Sequence, residues 1–244
     1  MSRTEGYDDV NNALQALKSG KFILLHDSIS RENEVDMVVA GEFVSPEHIK
    51  IMRKDAGGLL CLALDRQVTE DLGLAYMHDI LRAAGNNYPI LRSLEEESTP
   101  YGGKPAFSIT LNHRKAFTGV TDHERALTIA ELAHLVERGL AGDNLSDLRQ
   151  RFADEFKAPG HVHLLMESKG SLHERRGHTE LSVYLCRLAG TAPAAAICEM
   201  LDGTTYRALS IEDAAEYSKR NSIPLLDGQR VIAHFLEQEQ APQS

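Results

Sequence analysis

Apolar residues recur along this chain in two rhythms. Val10, Leu14 and Leu17 are spaced by four and three behind Asp8 and Asp9, with Gly20 after them, which predicts an acid-capped amphipathic helix. Residues 22–25 and 37–40 are short unbroken apolar runs that suit buried strands, separated by a polar loop over 27–36. Ser45 and Pro46 open a helix carrying Ile49, Ile51 and Met52, and Gly57-Gly58 closes it. Strands are expected over 59–64, 106–111, 162–166, 193–200 and 231–236. Helices are expected within 67–77, from a cap at Asp122, over 181–188 ahead of Gly190, and from Ser210 to Asn221. Residues 82–104, rich in Gly, Asn, Pro, Ser and charge, read as a long excursion that could serve as a lid. The charged stretch 138–157 reads as a surface connection, and 238–244 as a fraying tail. Strands adjacent in sequence, mixed with helices, predict a single α+β domain, a mixed sheet with surrounding helices over residues 1–244.

Composition narrows the functional classes. With 42% hydrophobic and 25% charged residues the chain is an ordinary globular protein, and its formal net charge of -10 with no basic block argues against nucleic acid as a partner. Any anionic substrate must then be held by local arginines against a repulsive field. No apolar run is long enough to cross a bilayer and residues 1–9 hold no apolar segment, so a cytoplasmic protein with no membrane partner is expected. Three widely spaced cysteines, Cys61, Cys186 and Cys198, without a C-x-x-C pair, exclude a disulfide framework and a four-cysteine zinc site. Cys61, inside an expected strand, is a core residue by default.

The densest chemistry lies in Arg175-Arg176-Gly177-His178-Thr179-Glu180, immediately ahead of the helix over 181–188. A helix N-terminus presents unpaired N–H groups and the positive end of the macrodipole, Gly177 lets a ligand approach the backbone, and two arginines complete a site suited to phosphate. His178 and Glu180 could also hold a metal or move a proton. The same residues fit a helix capped by Thr179 with a solvated basic face, and composition does not choose between the two. Arg31-Glu32-Asn33-Glu34-Val35-Asp36 is a second concentration of charge between two strands. Thr118 with Gly119 could contact a ligand, His161 and His163 share one strand face, and Glu199 ends an apolar strand where a carboxylate needs a partner.

Those two motifs, with Thr118-Gly119-Val120-Thr121, Pro159-Gly160-His161-Val162 and Ile197-Cys198-Glu199, come in an order that resembles the 3,4-dihydroxy-2-butanone 4-phosphate synthases of riboflavin biosynthesis, over about residues 10–236. The resemblance implies a magnesium-dependent homodimer, with manganese as an alternative ion, that converts ribulose 5-phosphate into dihydroxybutanone phosphate and formate. It implies Glu32 and His178 as metal ligands. Arg31, Glu32, Asp36, Thr118, Arg175, Arg176, Gly177, His178, Thr179 and Glu199 fall at substrate-binding positions, and His161, Glu199, Asp36 and Cys61 at catalytic ones. Bifunctional relatives carry a GTP cyclohydrolase II domain with a cysteine-based zinc site; none is expected here. Rival readings are another metal-dependent sugar-phosphate isomerase or lyase, and a phosphosugar-binding protein whose catalysis has lapsed.

Overall fold

Ile23 and Leu24 are neighbours in sequence and both are buried, yet they pack into different apolar clusters. A strand covered on both faces does this, because successive side chains point to opposite sides. The computed structural model describes residues 7–95, 98–100 and 102–240. Its strands are β1 (Ile23–His26), β2 (Val35–Ala40), β3 (Cys61–Leu64), β4 (Phe107–His113), β5 (Phe156–Met166), β6 (Ala194–Glu199), β7 (Leu201–Asp202), β8 (Arg207–Ala208) and β9 (Leu225–Asp227). Its helices are α1 (Val10–Lys18), α2 (Pro46–Ile51), α3 (Arg66–Leu72), α4 (Met77–Ala84), α5 (Ile90–Ser93), α6 (Asp122–Leu140), α7 (Leu145–Glu155), α8 (His178–Ala189), α9 (Ile211–Asn221) and α10 (Gly228–Gln240).

Seven strands form one mixed sheet in the order β4-β5-β3-β6-β2-β1-β9, and β7 with β8 makes a small separate ribbon. Leu24, Met37, Val39, Leu62 and Ala196 face a layer that includes α2, α6 and α9. Leu25, Val38, Ala40, Ala63, Ala195 and Ile197 face α1, α8 and α10. No described helix is long and apolar enough to cross a membrane.

This alternation places chemistry. Asp36 shares the parity of Val38 and Ala40, Glu199 that of Ala195 and Ile197, and Cys61 that of Ala63, so all three lie on the α8 side of adjacent strands. Asp36 is paired with Glu199 across the ladder, and Cys61 with Ile197. Strand β5 runs beside β3 only from His163 onward; its earlier residues pair with β4 alone, and Leu111 and Phe156 there are buried in the layer that includes α6.

Several expectations are corrected. Residues 231–236 are helical within α10, because Val231, Ile232, Phe235 and Leu236 recur at helical spacing and pack their apolar side into the α8 layer. The stretch 138–157 is no simple connection: Asn144 caps α7, which buries Leu148, and β5 begins at Phe156. Within 82–104, α4 and α5 supply regular structure, while residues 96, 97 and 101 lie outside the described residues. Thr121, not Asp122, caps α6. The tail is helical to Gln240, and residues 241–244 lie outside the described part. β2 begins at Val35, which takes Asp36 out of the polar loop and buries it.

Candidate active site

Strand β1 delivers Asp27 to the edge of the sheet, and its carboxylate organises the loop that follows. It accepts the N–H of Glu32 at 3.0 Å and of Glu34 at 3.1 Å, and the Nη1 of Arg31 at 3.1 Å. The loop therefore folds back on its first residue, which presents the Glu32 side chain to the start of α8. His178, the first residue of that helix, is 5% exposed. Its Nδ1 stands 3.3 Å from Glu32 Oε2 and its Nε2 is 3.2 Å from the carbonyl of Leu25. Asp27, Glu32 and His178 each bring a ligand atom within 4.8 Å of the others.

The His178 ring has one consistent role for each nitrogen. Nε2–H donates to the Leu25 carbonyl, so a neutral ring turns its Nδ1 lone pair toward the Glu32 carboxylate. Two electron pairs at that separation require a cation between them, either a proton or a metal ion. Burial disfavours the imidazolium, but Asp36, Glu32 and Asp27 outweigh it and raise the pKa to about 9. A place that holds a proton this firmly also suits a metal, the two competing for one lone pair. Asp36 is pushed up as well: burial, with Glu199, Glu32 and Glu34 adding repulsion against the pull of His178, raises it to about 7. Its Oδ1 is buried without a hydrogen bond, 3.6 Å from His178 Nε2.

At the end of β6, Glu199 finds the partner its position demands, accepting the N–H of Leu59 at 2.7 Å. Gly58 makes this possible, since a Cβ there would lie 2.5 Å from Glu199 Oε2. Cys61 is buried one strand away; burial, with Glu199 and Asp36 nearby, drives its thiol well above the ordinary range and keeps it protonated.

The arginines converge on the helix cap. Gly177 caps α8, and a Cβ on it would meet Arg31 Nη2 at 2.7 Å and Arg175 Nη1 at 3.0 Å. Arg175 donates to the wholly buried Glu180 at 2.8 Å, and Glu180 also accepts the Ser168 N–H at 3.0 Å. Thr179 is buried in the first turn, so its expected role as cap passes to Gly177. Arg31, Arg175 and Arg176 line a cavity of about 930 Å³ together with Lys104, His78, Ser168 and His173. This cluster answers the electrostatic question raised by the chain's acidity.

His161 and Thr118 are elsewhere. His161 lies in β5 ahead of the residues that pair with β3, and Thr118 in the loop after β4. They are joined through Asn112, whose Oδ1 accepts the His161 N–H at 2.9 Å and whose Nδ2 donates to the Thr118 carbonyl at 3.3 Å. Glu124 shapes the Thr118 loop, accepting the N–H groups of Phe117, Thr118 and Gly119 and the hydroxyls of Thr118 and Thr121. Slight dehydration raises its pKa, but these bonds prevail and hold it at about 2 against an ordinary 4.5. A depressed acid contributes its stability above the unfolded pKa and loses it as pH falls through the folded one. Amide exchange at 117–121 should therefore accelerate as pH drops from about 4.5 to about 2, corrected for intrinsic rates, and Glu124→Gln should remove that step. An unchanged profile in the variant counts against this anchor.

Asp27, Asn112 and Glu124 escaped the reading of the sequence. Asp27 had a signal, a carboxylate directly after an apolar strand, and Glu124 had another, the T-x-x-E spacing of a capping box with Thr121; Asn112 acts on backbone groups that no motif marks.

The chain matches the family model described as 3,4-dihydroxy-2-butanone 4-phosphate synthase over residues 11–234. The chain belongs to the 3,4-dihydroxy-2-butanone 4-phosphate synthase family. The synthase of Methanothermobacter thermautotrophicus is 45% identical over 228 residues, covering 93% of this chain and 96% of that one. That of Methanosarcina acetivorans is 42% identical over 95% of this chain and 92% of its own length. A solved 3,4-dihydroxy-2-butanone 4-phosphate synthase in complex with two magnesium ions superposes with a TM-score of 0.74 at 30% identity, covering 96% of this chain and 99% of that one. The mixed sheet with helices around it is thus the fold of this synthase family, and the Asp27, Glu32 and His178 cluster is an acidic site of the kind a divalent ion occupies.

Proposed function

We infer that the chain converts D-ribulose 5-phosphate into 3,4-dihydroxy-2-butanone 4-phosphate and formate in riboflavin biosynthesis, as a magnesium-dependent lyase that also accepts manganese. The observation that carries this is the meeting, in a chain of this family, of Glu32 and His178 at one cation-seeking point beside the arginine cluster. A five-carbon sugar phosphate yields a four-carbon ketone and formate with no external oxidant or reductant, so the residues need only bind, orient and move protons.

Glu32 and His178, with Asp27 behind them, would hold the ion, which when bound draws electrons from the substrate's ketone and acidifies the adjacent C–H. Asp36 Oδ1, buried and near neutral in its proton affinity, takes the proton from carbon 3. Glu199, fixed by Leu59 N–H, serves a later proton transfer, and Cys61 packs against the substrate as a neutral thiol. Arg31, Arg175 and Arg176 hold the phosphate with the N–H groups from Gly177 to Thr179, fixing a flexible sugar while its other end reacts. His161 and Thr118 would serve the site of a second copy of the chain in a homodimer, because within one copy they lie away from α8, His161 in β5 ahead of the residues that pair with β3 and Thr118 in the loop after β4. A phosphorylated sugar is retained in the cytoplasm, where the enzyme is placed.

Incubation of the purified protein with ribulose 5-phosphate and magnesium should release formate in equal amount with the four-carbon product, and chelation should stop it. Consumption of the sugar phosphate into five-carbon products without formate would overturn the assignment in favour of an isomerase. Tight binding of the sugar phosphate with no turnover would favour a lapsed binding protein.

A further inference from the structure

His26 is the last residue of β1, and its parity is that of Leu24, so its ring leaves the sheet on the face opposite to His178. It is 4% exposed, and both of its nitrogens are engaged. Tyr7 Oη lies 2.9 Å from Nδ1 and Asn33 Oδ1 lies 3.1 Å from Nε2. With the Asn33 carbonyl toward the ring, one polarity satisfies all three groups: Tyr7 O–H donates to Nδ1, and Nε2–H donates to Asn33. The Tyr7 ring stacks near His26 with the planes 16° apart, and the Arg230 guanidinium sits 5.9 Å from the Tyr7 centroid.

Asn33 occupies the tightest point of the acidic loop. Its φ of +55° is left-handed, a conformation asparagine tolerates better than most residues. It stands between Glu32 and Glu34, whose N–H groups both bind Asp27, and its own N–H donates to the Ser28 carbonyl at 3.1 Å. A side-chain bond at this residue fixes the turn that aims Glu32 at His178.

We propose that Tyr7, His26 and Asn33 form a positioning relay that holds the Glu32 loop in its cation-binding shape from the far face of the sheet. None of the three touches the cation-seeking point. The inference rests on the reading that Glu32 and His178 hold a divalent ion, and it adds that the geometry of this site is set from outside it.

The test uses full-length protein and Mn²⁺ alone as probe. His26→Phe keeps the ring against Tyr7 but removes both bonds; Asn33→Gly keeps the left-handed turn but removes the acceptor. Both should bind Mn²⁺ about tenfold more weakly by electron paramagnetic titration, as loss of an outer support does at metal sites, and should speed amide exchange at Glu32 and Glu34. Asn33→Asp, which retains the acceptor oxygen, should restore slow exchange at those two amides. If His26→Phe fails to fold, Tyr7→Phe, which removes one hydroxyl, should show a smaller rise in exchange. Wild-type exchange and Mn²⁺ affinity in both His26→Phe and Asn33→Gly would overturn the relay. If wild-type protein binds no Mn²⁺, the reading of the metal site fails separately, and the exchange rates alone decide the relay.

Discussion

His178→Ala should retain less than about one-thousandth of the wild-type kcat at saturating magnesium, and should bind Mn²⁺ too weakly to titrate. The size follows from what the ring does. Its Nδ1 is the only neutral donor in the described cluster of Asp27, Glu32 and His178, and without it an ion would be left with two carboxylates that Arg31 Nη1 already bridges. Glu32→Gln tests the other side, since it keeps the shape of the loop and removes one charge. It should show the same loss of turnover with Mn²⁺ affinity reduced by about ten- to a hundredfold, because Asp27 and His178 remain. Stability separates a lost ligand from a damaged fold. His178 is buried at the first turn of α8, and truncation strips Asp36, Glu32 and Asp27 of the imidazolium they stabilise, so the variant should melt several degrees below wild type while still unfolding cooperatively. Near-normal turnover in either variant refutes the ligand assignment. Lost turnover without a cooperative melt shows only that the helix start has collapsed.

How far such a site can be read in advance depends on where the deciding forces act. The Arg175 to Glu180 run was legible because its polar residues are contiguous and the apolar pattern beyond them marks a helix, so position and chemistry follow from local rules. The sheet face was legible only in part: the strands that hold Cys61 and Glu199 were expected, but Asp36 was expected in the polar loop, and period-two alternation carries all three to the α8 side only once β2 begins at Val35. Asp27 differs. Its role arises only when the loop closes and brings the N–H groups of residues 32 and 34 back to it, and that closure is tertiary. The helix at α10 shows a different failure. The Val231-Ile232 pair favours a strand by propensity, and the residue spacing that overrules it makes sense only against the apolar side of α8.

Arg175→Ala should raise KM for ribulose 5-phosphate by about ten- to a hundredfold, the equivalent of the roughly 1.5–3 kcal/mol that a charge-assisted hydrogen bond contributes. Inorganic phosphate, as a competitive inhibitor, should weaken by a similar factor, while kcat falls much less because the reacting end of the sugar lies elsewhere. The arginine has a structural partner as well, and the two roles separate through Glu180. That carboxyl is wholly buried, and burial raises its pKa in spite of Arg175 and the Ser168 N–H, which pull it down. Glu180→Gln preserves the volume and an oxygen for Ser168 N–H but loses the charge that orients Arg175. If Arg175 binds phosphate, a less tightly oriented guanidinium should weaken phosphate inhibition by only a few fold, far short of the Arg175→Ala effect. Glu180→Ala should instead destabilise the protein by about 3 kcal/mol, because it leaves a buried N–H unpaired and the guanidinium without its counter-charge. Phosphate inhibition unchanged in Arg175→Ala, alongside a lowered melting temperature, would make the Arg175 and Glu180 pair a brace for the start of α8 and leave Arg31 and Arg176 to bind the anion.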